Sequence, residues 1–122
     1  MDNNLVLSPL QISILVYQHL LITSVTLPIE MLRAGEAYAK GHINSGTFRP
    51  LTINLIAEDS EPIKNRSGLA ILPDHTYGTA PYSDLIIVPG IWRNPRPVVR
   101  ANSGLVQWLA SSWQTGSSII GV

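Results

Sequence analysis

Short apolar runs alternate with two longer stretches of helical periodicity along this chain. The clearest run is Asp84-Leu-Ile-Ile-Val-Pro-Gly90, where four apolar residues stand between a charged start and a Pro-Gly stop. An unbroken run of this kind reads as a strand buried on both faces. Pro89 has no N–H for a ladder, and Gly90 tolerates unusual dihedrals, so the strand must end there.

The remaining pattern is read around that strand. Residues 1–11 show little periodicity and predict a loose arm. Ile12–Tyr17 predicts a first strand, and residues 18–21 a turn. Residues 24–40 predict a helix whose apolar face is Pro28, Met31, Leu32, Gly35, Tyr38 and Ala39. Glu30, Arg33, Glu36 and Lys40 fall largely on the opposite face, with Glu36 and Lys40 in a favourable i,i+4 order. Ser24 or Thr26 would cap the start, and Gly41 suits the position after the end.

Residues 42–50 read as a polar loop, 51–57 as a second strand and 58–65 as a charged turn. Residues 68–74 form a short strand and 75–83 a connection. Residues 91–97 are rich in proline and arginine and predict a stiff loop. Residues 103–115 predict a second helix with Leu105, Val106, Leu109 and Trp113 on one face, capped by Asn102 or Ser103 and ended by Gly116. Residues 117–122 start another buried strand. Strands alternating with helices predict an α/β fold, a mainly parallel sheet with helices on both faces. In such sheets ligands bind beyond the carboxyl ends of the strands, which directs attention to Gly90 and Ile91.

Composition narrows the function. The 122 residues suffice for one domain and are 45% hydrophobic and 13% charged, which excludes disorder. Eight basic residues balance eight acidic ones, so electrostatic capture of nucleic acid or an anionic membrane is not expected. The absence of cysteine removes disulfides, thiolate metal sites and a cysteine nucleophile from this chain. No apolar run is long enough to span a bilayer, and the start has no basic residue ahead of its apolar positions, so a cytoplasmic protein is expected. His19, His42 and His75 lack metal-ligand spacing, and there is no P-loop, GxGxxG or GxSxG. No cofactor is expected.

Taken in order, several segments resemble a known family. They are the strand Ile-Leu-Val-Tyr (14–17), Pro-Ile-Glu-Met-Leu-Arg (28–33) and Arg66-Ser-Gly68 before Leu-Ala-Ile-Leu-Pro-Asp. Ser83 to Gly90, Gln107-Trp-Leu109 and Gly116 to Val122 complete the set. Over residues 12–122 the chain resembles the amino-terminal portion of a ThiJ/PfpI (class I glutamine-amidotransferase-like, flavodoxin-like) domain. It is most similar to the version at the front of AraC-type transcription regulators. The resemblance implies that the family's nucleophile, a cysteine in a strained elbow, falls directly after Val122, with a further turn and helix beyond. It also implies that the amides after Pro89 face the same pocket.

Two positions depart from the catalytic pattern. Catalytic members carry an acid four residues before the proline of the first helix, and here that position is Ser24. A serine cannot hold a proton for a nucleophile as a carboxylate does. The second glycine that often follows Val-Pro-Gly is Ile91.

The resemblance therefore implies a sensing and dimerisation domain that binds a small-molecule effector without turnover. It acts as a homodimer, with DNA bound only through a helix-turn-helix domain outside this chain. The alternatives are a cysteine-dependent hydrolase or hydratase, and an interaction module whose dimer surface is its only function. The candidate ligand-binding residues are Ser24, Glu30, Gly90 and Ile91. Each has a plainer reading: a helix cap, a solvated residue paired with Arg33, and a turn that merely ends a strand. Of the histidines, His19 lies nearest the site. Trp92, Arg93, Arg96 and Arg100 read as a rigid loop, a pocket wall or dimer contact.

Overall fold

A computed structural model describes residues 5–42 and 46–122. Among the described residues nine strands and three helices occur in the order β1 (Leu5–Val6), β2 (Leu10–Leu15), α1 (Thr23–Gly41), β3 (Thr47–Phe48), β4 (Leu51–Ala57), β5 (Ile63–Lys64), β6 (Ala70–Ile71), β7 (His75–Thr76), β8 (Leu85–Val88), α2 (Pro95–Ala101), α3 (Ser103–Gln114) and β9 (Ser118–Gly121). The central sheet is fully parallel, in the order β7-β4-β2-β8-β9. It is the mainly parallel α/β sheet that the alternating pattern predicts.

The core sits on β2 and β8. Ile12, Ile14, Leu15, Ile56 and Ile86 are each at most 1% exposed. In β2, Ile12 and Ile14 face one side of the sheet while Ser13 and Leu15 face the other. Ser13 is buried because its hydroxyl bonds that of Ser83 at 2.6 Å. Asp84 fixes the register at the start of β8: its N–H donates to the Gln11 carbonyl, and its carboxylate accepts from Gln11 N.

The chain runs from β2 through α1 to β4 on one side. It runs from β8 through α2 and α3 to β9 on the other. Right-handed crossovers in opposite directions place α1 and α3 on opposite faces. The loops after β2 and β8 therefore meet at the topological switch point, where an open α/β sheet takes its ligands.

Several local expectations need correction. The arm over 1–11 lies partly outside the described residues, but its described part is not loose. Leu5–Val6 pairs with Thr47–Phe48, and β2 starts at Leu10. The second of those pairing segments lies in the expected loop over 42–50, of which residues 43–45 fall outside the description. The short strand expected at 68–74 is instead one arm of an antiparallel hairpin, β5–β6, and the sheet edge is β7 within the expected connection. Helix α2, Pro95–Ala101, takes over the end of the stiff loop expected at 91–97. Asn94 caps it through its side chain, and Pro95 and Pro97 occupy the first turn, where no backbone N–H is needed. The strand expected at 117–122 is seen as β9, the last strand described beside β8, with Ile120 49% and Val122 59% exposed among the described residues.

The helix faces also turn out differently. On α1 the packed residues are Val25, Ile29 and Leu32, while Met31 and Tyr38 are exposed. The true inner face lies roughly a quarter turn from the expected one, at 100° per residue. On α3 the packed residues are Leu105, Trp108 and Leu109, whereas Val106 and Trp113 face outward. Neither Ser24 nor Thr26 caps α1, whose start has no side-chain cap, and Asn102 donates to the Val98 carbonyl instead of capping α3. Gly41 is the last residue of α1 and not the position after it.

Glu36 docks α1 onto β4. Its carboxylate accepts from Leu51 N at 2.6 Å, and its ion pair is with Arg33, not Lys40. The Arg33 guanidinium also donates to the Leu51 carbonyl. The Leu51 amide holds the Glu36 carboxyl below the usual carboxylate range, helped by Arg33. A lowered pKa contributes stability that is present above the unfolded value and lost as pH falls through the folded one. Thermal unfolding followed from about pH 5 down to about pH 3 should therefore show a steeper loss of stability in the wild type than in Glu36→Gln. Equal slopes would remove Glu36 from the acid response.

Candidate functional site at the switch point

Backbone hydrogen bonds join the loops after β2 and β8. Leu21 N donates to the Gly90 carbonyl at 2.8 Å, and Trp92 N donates to the His19 carbonyl at 2.7 Å. Leu20 and Ile91 face each other in an antiparallel bridge. The Tyr17 hydroxyl donates to the buried Pro89 carbonyl. Burial pushes the Tyr17 phenol up to about 12, so it remains a proton donor across the physiological range. Pro89 and Gly90 thus end β8 and also anchor its exit to β2.

Gly90 sits in a tight cradle. A Cβ there would lie 3.1 Å from Ser24 Oγ, 3.2 Å from Leu21 Cδ1 and 3.2 Å from the Val122 carbonyl oxygen. The start of α1 and the ends of β8 and β9 converge on this glycine. Ser24 and Gly90 are therefore brought together. Ser24 is buried, and it also lines an apolar groove of about 500 Å³ with Leu27, Met31 and Ile87. Ile91 is half-buried in the bridge to Leu20. Glu30 is exposed on α1 and lines none of the hollows described here.

Two further hollows adjoin Trp92. One, of about 400 Å³, has Leu20, Leu21 and Ile22 on one side and Arg66 and Ser67 on the other. The second, of about 360 Å³, is lined by His19, Arg93 and Val98. Trp92 lines both, in keeping with a pocket-wall role. A cleft of about 450 Å³, which shares His19 and Ala101 with the second hollow, opens beyond the ends of β2 and β4, with Glu58, Asp59, Glu61 and Lys64 in its lining. Tyr77 lines that cleft and stacks on Trp108, and burial together with the nearby Glu58 charge pushes its phenol up to about 12.

Asn65 escaped the sequence reading. It is buried and donates from Nδ2 to the Leu20 carbonyl at 2.7 Å, while its Oδ1 accepts from Ser67 N and Ser67 Oγ. Its backbone closes the turn with Gly68, at φ +91°, and Leu69. The hairpin turn is thereby tied to the β2 exit, and Arg66 lies over the Trp92 ring, 5.7 Å from its centroid. An asparagine three residues before a glycine is a turn signal, but nothing local reveals its long-range partner. Among the described residues no three His, Asp or Glu side chains group as a metal site, and no helix is long and apolar enough to cross a membrane.

Solved structures share this architecture. A ThiJ/PfpI family protein from Pseudomonas syringae superposes over 93% of this chain with a TM-score of 0.68 at 20% identity. An AraC family transcriptional regulator from Pseudomonas putida superposes over 93% with a TM-score of 0.67 at 16% identity. A DJ-1 superfamily protein from Salmonella typhimurium superposes over 91% with a TM-score of 0.68 at 13% identity. No family model and no curated protein sequence matches. The fold is that of the ThiJ/PfpI and DJ-1 proteins, a flavodoxin-like α/β sheet. The chain spans 41%, 55% and 54% of those three structures.

Proposed function

We propose that residues 12–122 belong to the sensing domain of an AraC-type transcription regulator, which binds a small effector at the switch point without turnover. The observation that carries this is the Gly90 cradle. There the Ser24 hydroxyl, at the position where the resemblance puts an acid in catalytic members, would lie 3.1 Å from a Cβ on Gly90. A hydroxyl and a carbonyl can orient a ligand, whereas a thiolate reaction needs a neighbouring acid or base. The fold shared with a regulator from Pseudomonas putida supports the reading.

The regulator is a cytoplasmic homodimer, and its DNA contact lies in a helix-turn-helix domain outside this chain. Ser24, Gly90 and Ile91 belong to the effector site, and Glu30, exposed on α1 and outside every hollow described, is left out of it. The test is selection of fragments of the source genome on the native-length protein. Reproducible enrichment of a few promoter fragments is expected. Retention of no fragment above background would contradict the reading.

A further inference from the structure

We propose that the hollow lined by Leu20, Leu21, Ile22, Arg66, Ser67 and Trp92 is a site for a small organic carboxylate, with Arg66 as its cationic wall; Arg93 stands in the adjoining hollow on the same indole. This rests on the sensing reading and adds a ligand class, at a hollow that shares Leu21 with the Gly90 cradle.

The two arginines flank the same indole. Arg66 lies over its ring, and Arg93 lines the hollow that Trp92 shares with His19. Neither hollow has a carboxylate in its lining. Among the described residues the ion pair formed is Arg33–Glu36, so neither Arg66 nor Arg93 has an acidic partner within salt-bridge distance. A guanidinium with only an aromatic face beside it keeps its hydrogen-bonding fork available to an incoming carboxylate.

Arg93 adds an independent observation. It is the only non-glycine residue with positive φ among those described, at +66°. That conformation is uncommon for a side-chain-bearing residue and persists where its surroundings impose it, often at ligand sites. Trp92 N is held by the His19 carbonyl on one side of Arg93 and Asn94 caps α2 on the other, so the backbone there is over-determined.

The walls decide the ligand class. Leu20, Leu21, Ile22 and the indole offer apolar surface, while Ser67 and Arg66 offer donors. A carboxylate with a short apolar body satisfies both, whereas inorganic phosphate would leave the apolar surface uncovered. Binding draws the Arg66 guanidinium toward the carboxylate and off the ring, which changes Trp92 emission.

The experiment titrates the native-length protein with sodium butyrate and sodium benzoate at constant ionic strength, following tryptophan fluorescence. A saturable change is expected with either carboxylate, absent with butyramide and lost in Trp92→Phe. Arg66→Gln should weaken binding roughly ten-fold or more, as loss of a charge-assisted contact does. Arg93→Gly should raise the thermal midpoint, because glycine accepts the positive φ. No saturable change with either carboxylate would overturn the proposal, as would equal binding of butyramide, tighter binding of inorganic phosphate, or unaltered affinity in Arg66→Gln. Those failures leave the regulator reading standing. Failure to retain genomic DNA would overturn the regulator reading and leave this site standing.

Discussion

Replacing Ile14 by alanine should lower the unfolding free energy by about 3–4 kcal/mol, the range for truncating a fully buried aliphatic side chain. Ile14 is 0% exposed in the strand between β4 and β8, in register with Leu55 and Ile87. The cavity left cannot collapse easily, because hydrogen-bonded strands hold both flanks in place. A small domain has only about 5–15 kcal/mol in total, so the loss is a large share of it. In urea the midpoint should drop by roughly 1–3 M for an ordinary m-value. Leu27→Ala is the control: Leu27 is 55% exposed on α1, and its truncation should change stability by about 0.5 kcal/mol or less. Equal effects at both positions would show that the core does not lie on the central strand.

Asn65→Ala should cost about 2–3 kcal/mol, because the buried Leu20 carbonyl loses its Nδ2 donor and Ser67 loses its acceptor. The loss should also be local. Amide exchange in the hairpin from Ile63 to Ile71 should speed up strongly, while Ile86 and Ile87 in β8 remain protected. Arg66 loses its fixed seat over Trp92 in the same variant, so its contact with the indole weakens. Asn65→Asp keeps the acceptor for Ser67 but lacks the amide donor to Leu20. It should preserve the turn and still release the tether. If hairpin exchange is unchanged in Asn65→Ala, the hairpin is held by something other than Asn65.

The sequence made the sheet legible where burial and strand period agree. Leu51–Ala57 and the run after Asp84 form strands because their apolar density leaves no amphipathic helix to compete, and Pro89 closes the second one. Gly116 is marked as a helix stop, and its φ of +105° shows why. The helix faces were less legible, since α1 carries apolar residues around much of its circumference. Burial there selects Val25, Ile29 and Leu32, and Glu36 joins them because it finds the Leu51 amide. Helix α2 was hidden by its prolines, although Asn94 followed by Pro95 and Pro97 suits a capped first turn.

At the site, Ser24 and Gly90 meet as neighbours, as reading them at the loop ends suggests. The Asn65 tether and the seating of Arg66 on Trp92 depend on contacts 45 and 26 positions apart in the sequence (65 − 20 and 92 − 66), beyond any local pattern.

The central claim is that the switch-point pocket binds and does not catalyse. The most direct measurement incubates the native-length protein with small aldehyde, amide and nitrile substrates and follows their nuclear magnetic resonance signals over hours. The account predicts that every substrate is recovered unchanged. Steady conversion of any one of them, at a rate proportional to protein concentration, would contradict it.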